Sequence, residues 1–165
     1  MRAIIMVRIK KSFERKTSME PSLLFDRFTK LYRPYIKMVQ PLMTEYDLHP
    51  AQWLVMKDIA VNVDTTLVQI SKRRSIEKPT TRKILKALES RGWIMARIGV
   101  DRREKLLQLS PQGQEVYQQL KSKIEATQQF HINNLGLTEE EYQRIVSILD
   151  ELYDAMITYI DQQHA

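Results

Sequence analysis

Lys78, Arg82, Lys83 and Lys86 crowd one short stretch of this chain; Lys72 and Arg73 precede it, and Arg97, Arg102 and Arg103 follow. Such groups perform no covalent chemistry by themselves. They neutralise phosphate oxygens, and an arginine fork also hydrogen-bonds a base edge or enters a narrow minor groove. Residues 65–110 hold 12 Lys/Arg against 4 Asp/Glu, a local +8, whereas residues 111–165 hold 3 against 9, a local −6. The formal net charge of +6 is therefore concentrated in the middle of the chain. Concentrated cations are the electrostatic footprint of a nucleic-acid binder. The same charge allows an alternative, an interaction module that docks an acidic protein partner without sequence-specific DNA binding.

Other chemistries find little support. The chain has no Gly-rich phosphate loop, no nucleophile elbow and no metal-ligand spacing, so no catalytic residue, cofactor or metal is expected. Its lack of cysteine removes disulfides and thiol chemistry and fits a reducing compartment. His49 stands alone and reads as a cap or surface residue. No run approaches the ~20 apolar residues of a membrane span. The opening Ala3–Val7 run is shorter than the ~7–15 residues of a signal core. Residues 1–19 read as a basic, loosely attached tail, with Met19 an alternative start. A cytoplasmic, nucleoid-associated protein is the expectation.

The 165 residues are 43% apolar but only 8% aromatic, with four Gly and six Pro, which favours a helical protein over a sandwich or barrel. Apolar residues from Leu24 to Met43 recur at helical spacing and predict a long first helix over residues 20–46. Pro34 and Pro41 fall inside it and predict a bend or break. His49-Pro50 opens a second helix to about Val61, with Trp53 in the core. Thr66 and Gln69 form a capping box for a helix over residues 67–74 that ends in Lys72, Arg73 and Arg74. Glu77-Lys78-Pro79 then starts a helix that Gly92 ends. Two short helices joined by a tight turn, the second basic, make a helix-turn-helix.

On that second helix Thr81, Ile84, Leu85 and Leu88 share one side. Pro79, Lys83, Lys86 and Ser90 lie opposite, flanked by Thr80 and Arg82. One side anchors the helix and the other faces a groove. Residues 93–98 and 104–109 predict a hairpin whose turn, Gly99–Arg103, carries Arg102 and Arg103 at its tip. Asp101 is placed to accept hydrogen bonds from Arg103 and fix its fork. Ser110-Pro111 opens a helix to about Asn133. A capping box at Thr138 and Glu141 opens a last helix to about Gln163. The apolar stripes of the first and last helices exceed what the small core can cover, which predicts a homodimer.

Through Leu88-Glu89-Ser90-Arg91-Gly92, Trp93-Ile94, Asp101-Arg102-Arg103 and Leu107-Gln108-Leu109-Ser110 with Gly113, the chain resembles the MarR family of bacterial winged-helix transcriptional regulators. The likeness covers about residues 22–162. It implies a mainly α fold with a small β-hairpin wing: a winged helix-turn-helix core over 49–110, and dimerisation helices over 20–48 and 111–165, in one domain spanning 20–165. It implies a dimer on a pseudo-palindromic operator in double-stranded DNA, with Arg103 in the minor groove and Asp101 supporting it. The implied DNA-binding set is Lys72, Arg73, Lys78, Pro79, Thr80, Arg82, Lys83, Lys86, Arg97, Asp101, Arg102 and Arg103. The resemblance also implies repression relieved by a small, often anionic aromatic effector, for which Tyr32, Tyr35, Trp53 and Met56 are the pocket candidates by position. Glu77 stands where a Ser or Thr cap is usual, Ala96 where an Arg is common, and the wing is about one residue short.

Overall fold

The computed structural model describes residues 20–99, 101 and 104–163. Helices α1 (Pro21–Thr44), α2 (Pro50–Val61), α3 (Leu67–Arg74) and α4 (Lys78–Ser90) lead into strands β1 (Ile94–Ile98) and β2 (Lys105–Leu109). Helices α5 (Pro111–Asn133) and α6 (Glu139–Gln163) complete the chain. The fold is mainly α with one antiparallel hairpin, in register from Ile94 opposite Leu109 to Ile98 opposite Lys105. The basic tail of residues 1–19 lies outside the described residues.

Local chemistry sets the element ends. The Thr66 hydroxyl accepts from the Gln69 N–H, and the Gln69 side chain accepts from the Thr66 N–H. Thr138 and Glu141 repeat the exchange at the start of α6. At the end of α4, Gly92 takes a φ of +69°, its N–H donates to the Glu89 carbonyl, and the Trp93 N–H donates to the Leu88 carbonyl. That double bond is a Schellman cap, which requires the left-handed residue that glycine supplies most cheaply. Ser110 joins the hairpin to α5: its Oγ donates to the Gly92 carbonyl at 2.5 Å and accepts from the Gly113 N–H at 2.9 Å.

The core forms around α2, whose Trp53, Val55, Met56 and Ile59 are all buried. This helix packs against α1, α3, α4, α5 and β2, so it has apolar residues on most sides rather than one stripe. Trp53 stacks on Tyr117 of α5 with ring centroids 5.5 Å apart. Ile70, Ile84, Leu85, Leu88, Ile94 and Leu107 extend the core under the helix-turn-helix and the hairpin.

The expected break in the first helix is absent: α1 runs unbroken through Pro34 and Pro41. Both prolines and the residues four positions before them, Lys30 and Lys37, are exposed. A backbone carbonyl that loses its N–H partner costs little where solvent can replace it, so exposed positions tolerate proline within a helix. Only Val39 and Met43 of α1 are buried, and α6 buries no residue. Phe25, Phe28, Leu31, Ile145, Leu149 and Tyr159 are among the large apolar side chains these helices expose.

Candidate nucleic-acid interface

Helix α4 is built to show one face. Thr81, Ile84, Leu85 and Leu88 are its buried residues, as the wheel predicts. Lys78, Pro79, Thr80, Arg82, Lys83 and Lys86 are all exposed. Among the described residues, none of Lys78, Arg82, Lys83 and Lys86 makes an ion pair. Four cations on an anchored helix are thus available to an external anion. A cleft of about 310 Å³ separates α4 from the hairpin, lined by Arg82, Lys86 and Lys105 and, deeper, by Leu85 and Leu107.

The turn before α4 is tightly held. Ser75 adopts a left-handed φ of 50°, and the Ser71 hydroxyl donates to the Ile76 carbonyl at 2.5 Å. The Thr81 hydroxyl donates back to the Glu77 carbonyl at 3.2 Å. Glu77 occupies the N-cap position but its side chain makes no cap bond, so its carboxylate is exposed at the start of the presented face.

Other expected contacts are engaged within the chain. The Arg73 guanidinium donates to Asp58 at 2.5 Å through one terminal nitrogen and at 3.2 Å through Nε. The same nitrogen donates to the Thr65 hydroxyl at 2.6 Å. The Asp58 side chain is 6% exposed and that of Arg73 34%. The hydrogen bonds to Asp58 hold the Arg73 guanidinium above its ordinary pKa; burial opposes them, and the charge of Asp58 adds a lesser push in the same upward direction. Arg73 is therefore an internal brace, unlike the ion-pair-free cations of α4. Desolvating Asp58 requires a partner, and Arg73 is the one in reach.

Thr65 carries the brace onward. Its carbonyl accepts from the Leu107 N–H at 2.7 Å, adding a short third pairing to the hairpin. Beside it Arg97 donates to Asp64 at 3.0 and 2.5 Å. The hydrogen bond from Arg97, aided by its charge, lowers the Asp64 pKa, while burial acts the other way. Lys72 pairs with Asp161 of α6 at 2.9 Å. Asp101 is exposed, and its carbonyl accepts from the Glu104 N–H. Arg102 and Arg103 lie outside the described residues.

The four pocket candidates do not share one surface. Trp53 and Met56 are buried in the core, Tyr32 is 57% exposed, and Tyr35 is half-buried with its hydroxyl accepting from Gln128 at 3.0 Å. Trp53 and Met56 are packed into the core of the chain, while Tyr32 and Tyr35 lie towards its surface. Asp58, Thr65 and Asp64 went unnoticed in the sequence. The available signal was an acid set among the apolar Val55, Met56 and Ile59.

Among the described residues, no His/Asp/Glu cluster is arranged to hold a metal, and no helix is long and apolar enough to cross a membrane. The family model described as MarR family matches residues 48–105. An HTH-type transcriptional regulator of Staphylococcus aureus (strain Mu50) is 34% identical over 134 residues, covering 81% of this chain and 92% of that one. A solved structure of Staphylococcus aureus MarR in complex with salicylate and kanamycin is 32% identical with a TM-score of 0.76, covering 86% of this chain and 95% of that one. The transcriptional repressor CouR, solved on a 23-mer DNA duplex, shares the fold at 21% identity and a TM-score of 0.69, covering 84% of this chain and 98% of that one.

Proposed function

The chain belongs to the MarR family of DNA-binding transcriptional regulators, and on that premise we propose that it works as a homodimeric repressor relieved by a small ligand. The presented face of α4 carries this reading. Lys83 and Lys86 stand opposite the buried Thr81–Leu88 stripe, with Arg82 beside them and Lys78 in the first turn, on a helix whose diameter fits a major groove. Lys78, Lys83, Lys86 and Arg82 supply phosphate contacts, which position the domain. Base reading falls to the first turns of α4, at Pro79 and Thr80. The wing, with Arg97, Asp101 and the tip residues Arg102 and Arg103, reaches the adjacent minor groove.

Dimerisation is supported by the apolar surface of α1 and α6, which a monomer would leave in water. A two-fold dimer places two copies of α4 about one helical turn of DNA apart, ~34 Å, which matches a pseudo-palindrome. The effector reading draws on the salicylate held by the Staphylococcus relative and places an anionic aromatic beside Tyr32 and Tyr35.

The test is in vitro transcription from the promoter of the protein's own operon. Added protein lowers transcript yield, and salicylate restores it. Unchanged transcription with DNA bound would overturn repression. Repression that persists in the presence of every aromatic acid tried would overturn the effector reading. Sedimentation equilibrium gives twice the chain mass; a monomer contradicts the dimer.

A further inference from the structure

We propose that Asp161 of α6 is a built-in competitor for the DNA phosphate at Lys72, so that seating the winged helix on a duplex opens a contact to the last helix. This rests on the proposal that α4 faces DNA. Helix α6 buries no residue of its own, yet it reaches the last turn of α3 through two polar contacts. The Tyr153 hydroxyl donates to the Arg73 carbonyl at 3.0 Å. That carbonyl belongs to a helix C-terminus, where the final acceptors lack intrahelical donors. Two helical turns further on, Asp161 accepts from Lys72 at 2.9 Å.

The neighbouring cations of this turn behave differently. Arg73 is braced against a buried carboxylate and cannot be recruited without stranding Asp58. The Lys72 side chain is 67% exposed and its partner 51%. An ion pair this wet is worth up to ~1 kcal/mol and is screened by salt. A run of phosphates can displace it. Lys72 also sits one turn before the α3–α4 corner, where a helix-turn-helix meets the backbone of a duplex. In the free protein Asp161 occupies this cation; on DNA a phosphate replaces it.

The experiment measures binding of the full chain to a fluorescent random-sequence duplex across a salt series. Wild type is compared with Asp161→Asn, Asp161→Glu, Lys72→Ala and the Asp161→Asn/Lys72→Ala double variant. Asp161→Asn binds about two- to fivefold tighter at low salt, the fold-change of one exposed pair. Asp161→Glu stays near wild type. Lys72→Ala shallows the log–log salt slope by about one unit. The gain from Asp161→Asn vanishes in the Lys72→Ala background. Absence of tightening overturns the inference, and so does a gain that persists without Lys72, which would be a general field effect. A wild type that binds no duplex refutes the parent reading instead.

Discussion

A β-carbon on Gly113 would stand 1.9 Å from the carbonyl oxygen of Trp93. That carbonyl also accepts from the Ser110 N–H at 3.0 Å, so it is fixed from a second side. The first turn of α5 therefore lies directly on the chain leaving α4. This joint connects the recognition unit to the long helix beneath it, and only a residue without a side chain permits the approach.

Gly113→Ala must push α5 away from Trp93. Overpacking of this kind typically costs about 1–3 kcal/mol, and here the obstacle is backbone, which yields less than a side chain. Urea unfolding should show a lower midpoint with an unchanged slope. An unaltered midpoint would mean that the joint relaxes freely.

Removing the brace should be more damaging than its exposed surface suggests. Arg73→Ala strands the Asp58 carboxylate in the core and removes one hydrogen bond from Thr65, whose carbonyl holds the hairpin. Breaking a buried pair costs about 3–5 kcal/mol, and partial exposure of Arg73 reduces this to about 2–4. Arg73→Lys keeps the charge but loses the fork and should fall between. Equal stability of wild type and Arg73→Ala in urea would remove the brace from this description.

The Asp64–Arg97 tie has a defined pH dependence. Arg97 lowers the Asp64 pKa in the folded chain, so the unfolded chain binds the proton more readily. The stabilisation is then fully present above the unfolded aspartate value of about 3.9 and disappears as pH falls through the lower, folded value. Wild type and Arg97→Ala should differ in thermal midpoint at neutral pH and converge in acid below that range. A difference that changes between pH 6 and 8 would have another origin.

The face of α4 makes a simple electrostatic prediction. Lys83→Ala and Lys86→Ala each shallow the log–log salt dependence of duplex binding by about one unit. Both residues are exposed and make no ion pair among the described residues, so the unfolding free energy should stay within about 0.5 kcal/mol of wild type. A large loss of stability would show that these lysines serve the fold.

Much of this architecture is legible in the sequence because it is local. The capping boxes at Thr66 and Thr138, the Gly92 terminus and the buried stripe of α4 each depend on residues within one or two turns. What stayed hidden depends on packing. The Asp58–Arg73 pair spans two helices, and no periodicity predicts it, so Arg73 read as one more cation in a basic run. Pro34 and Pro41 predict a bend or a break, but α1 runs unbroken through both, each at an exposed position. Trp53 and Met56 at helical spacing fill the core, which is the commoner use of large apolar side chains.

The most direct test of the proposed DNA-bound dimer is selection of binding sites by the full chain from a pool of random duplexes. Two copies of α4 related by a two-fold axis should enrich inverted half-sites with centres about 10 bp apart. Enrichment of a single unpaired half-site, or none above the starting pool, would contradict it.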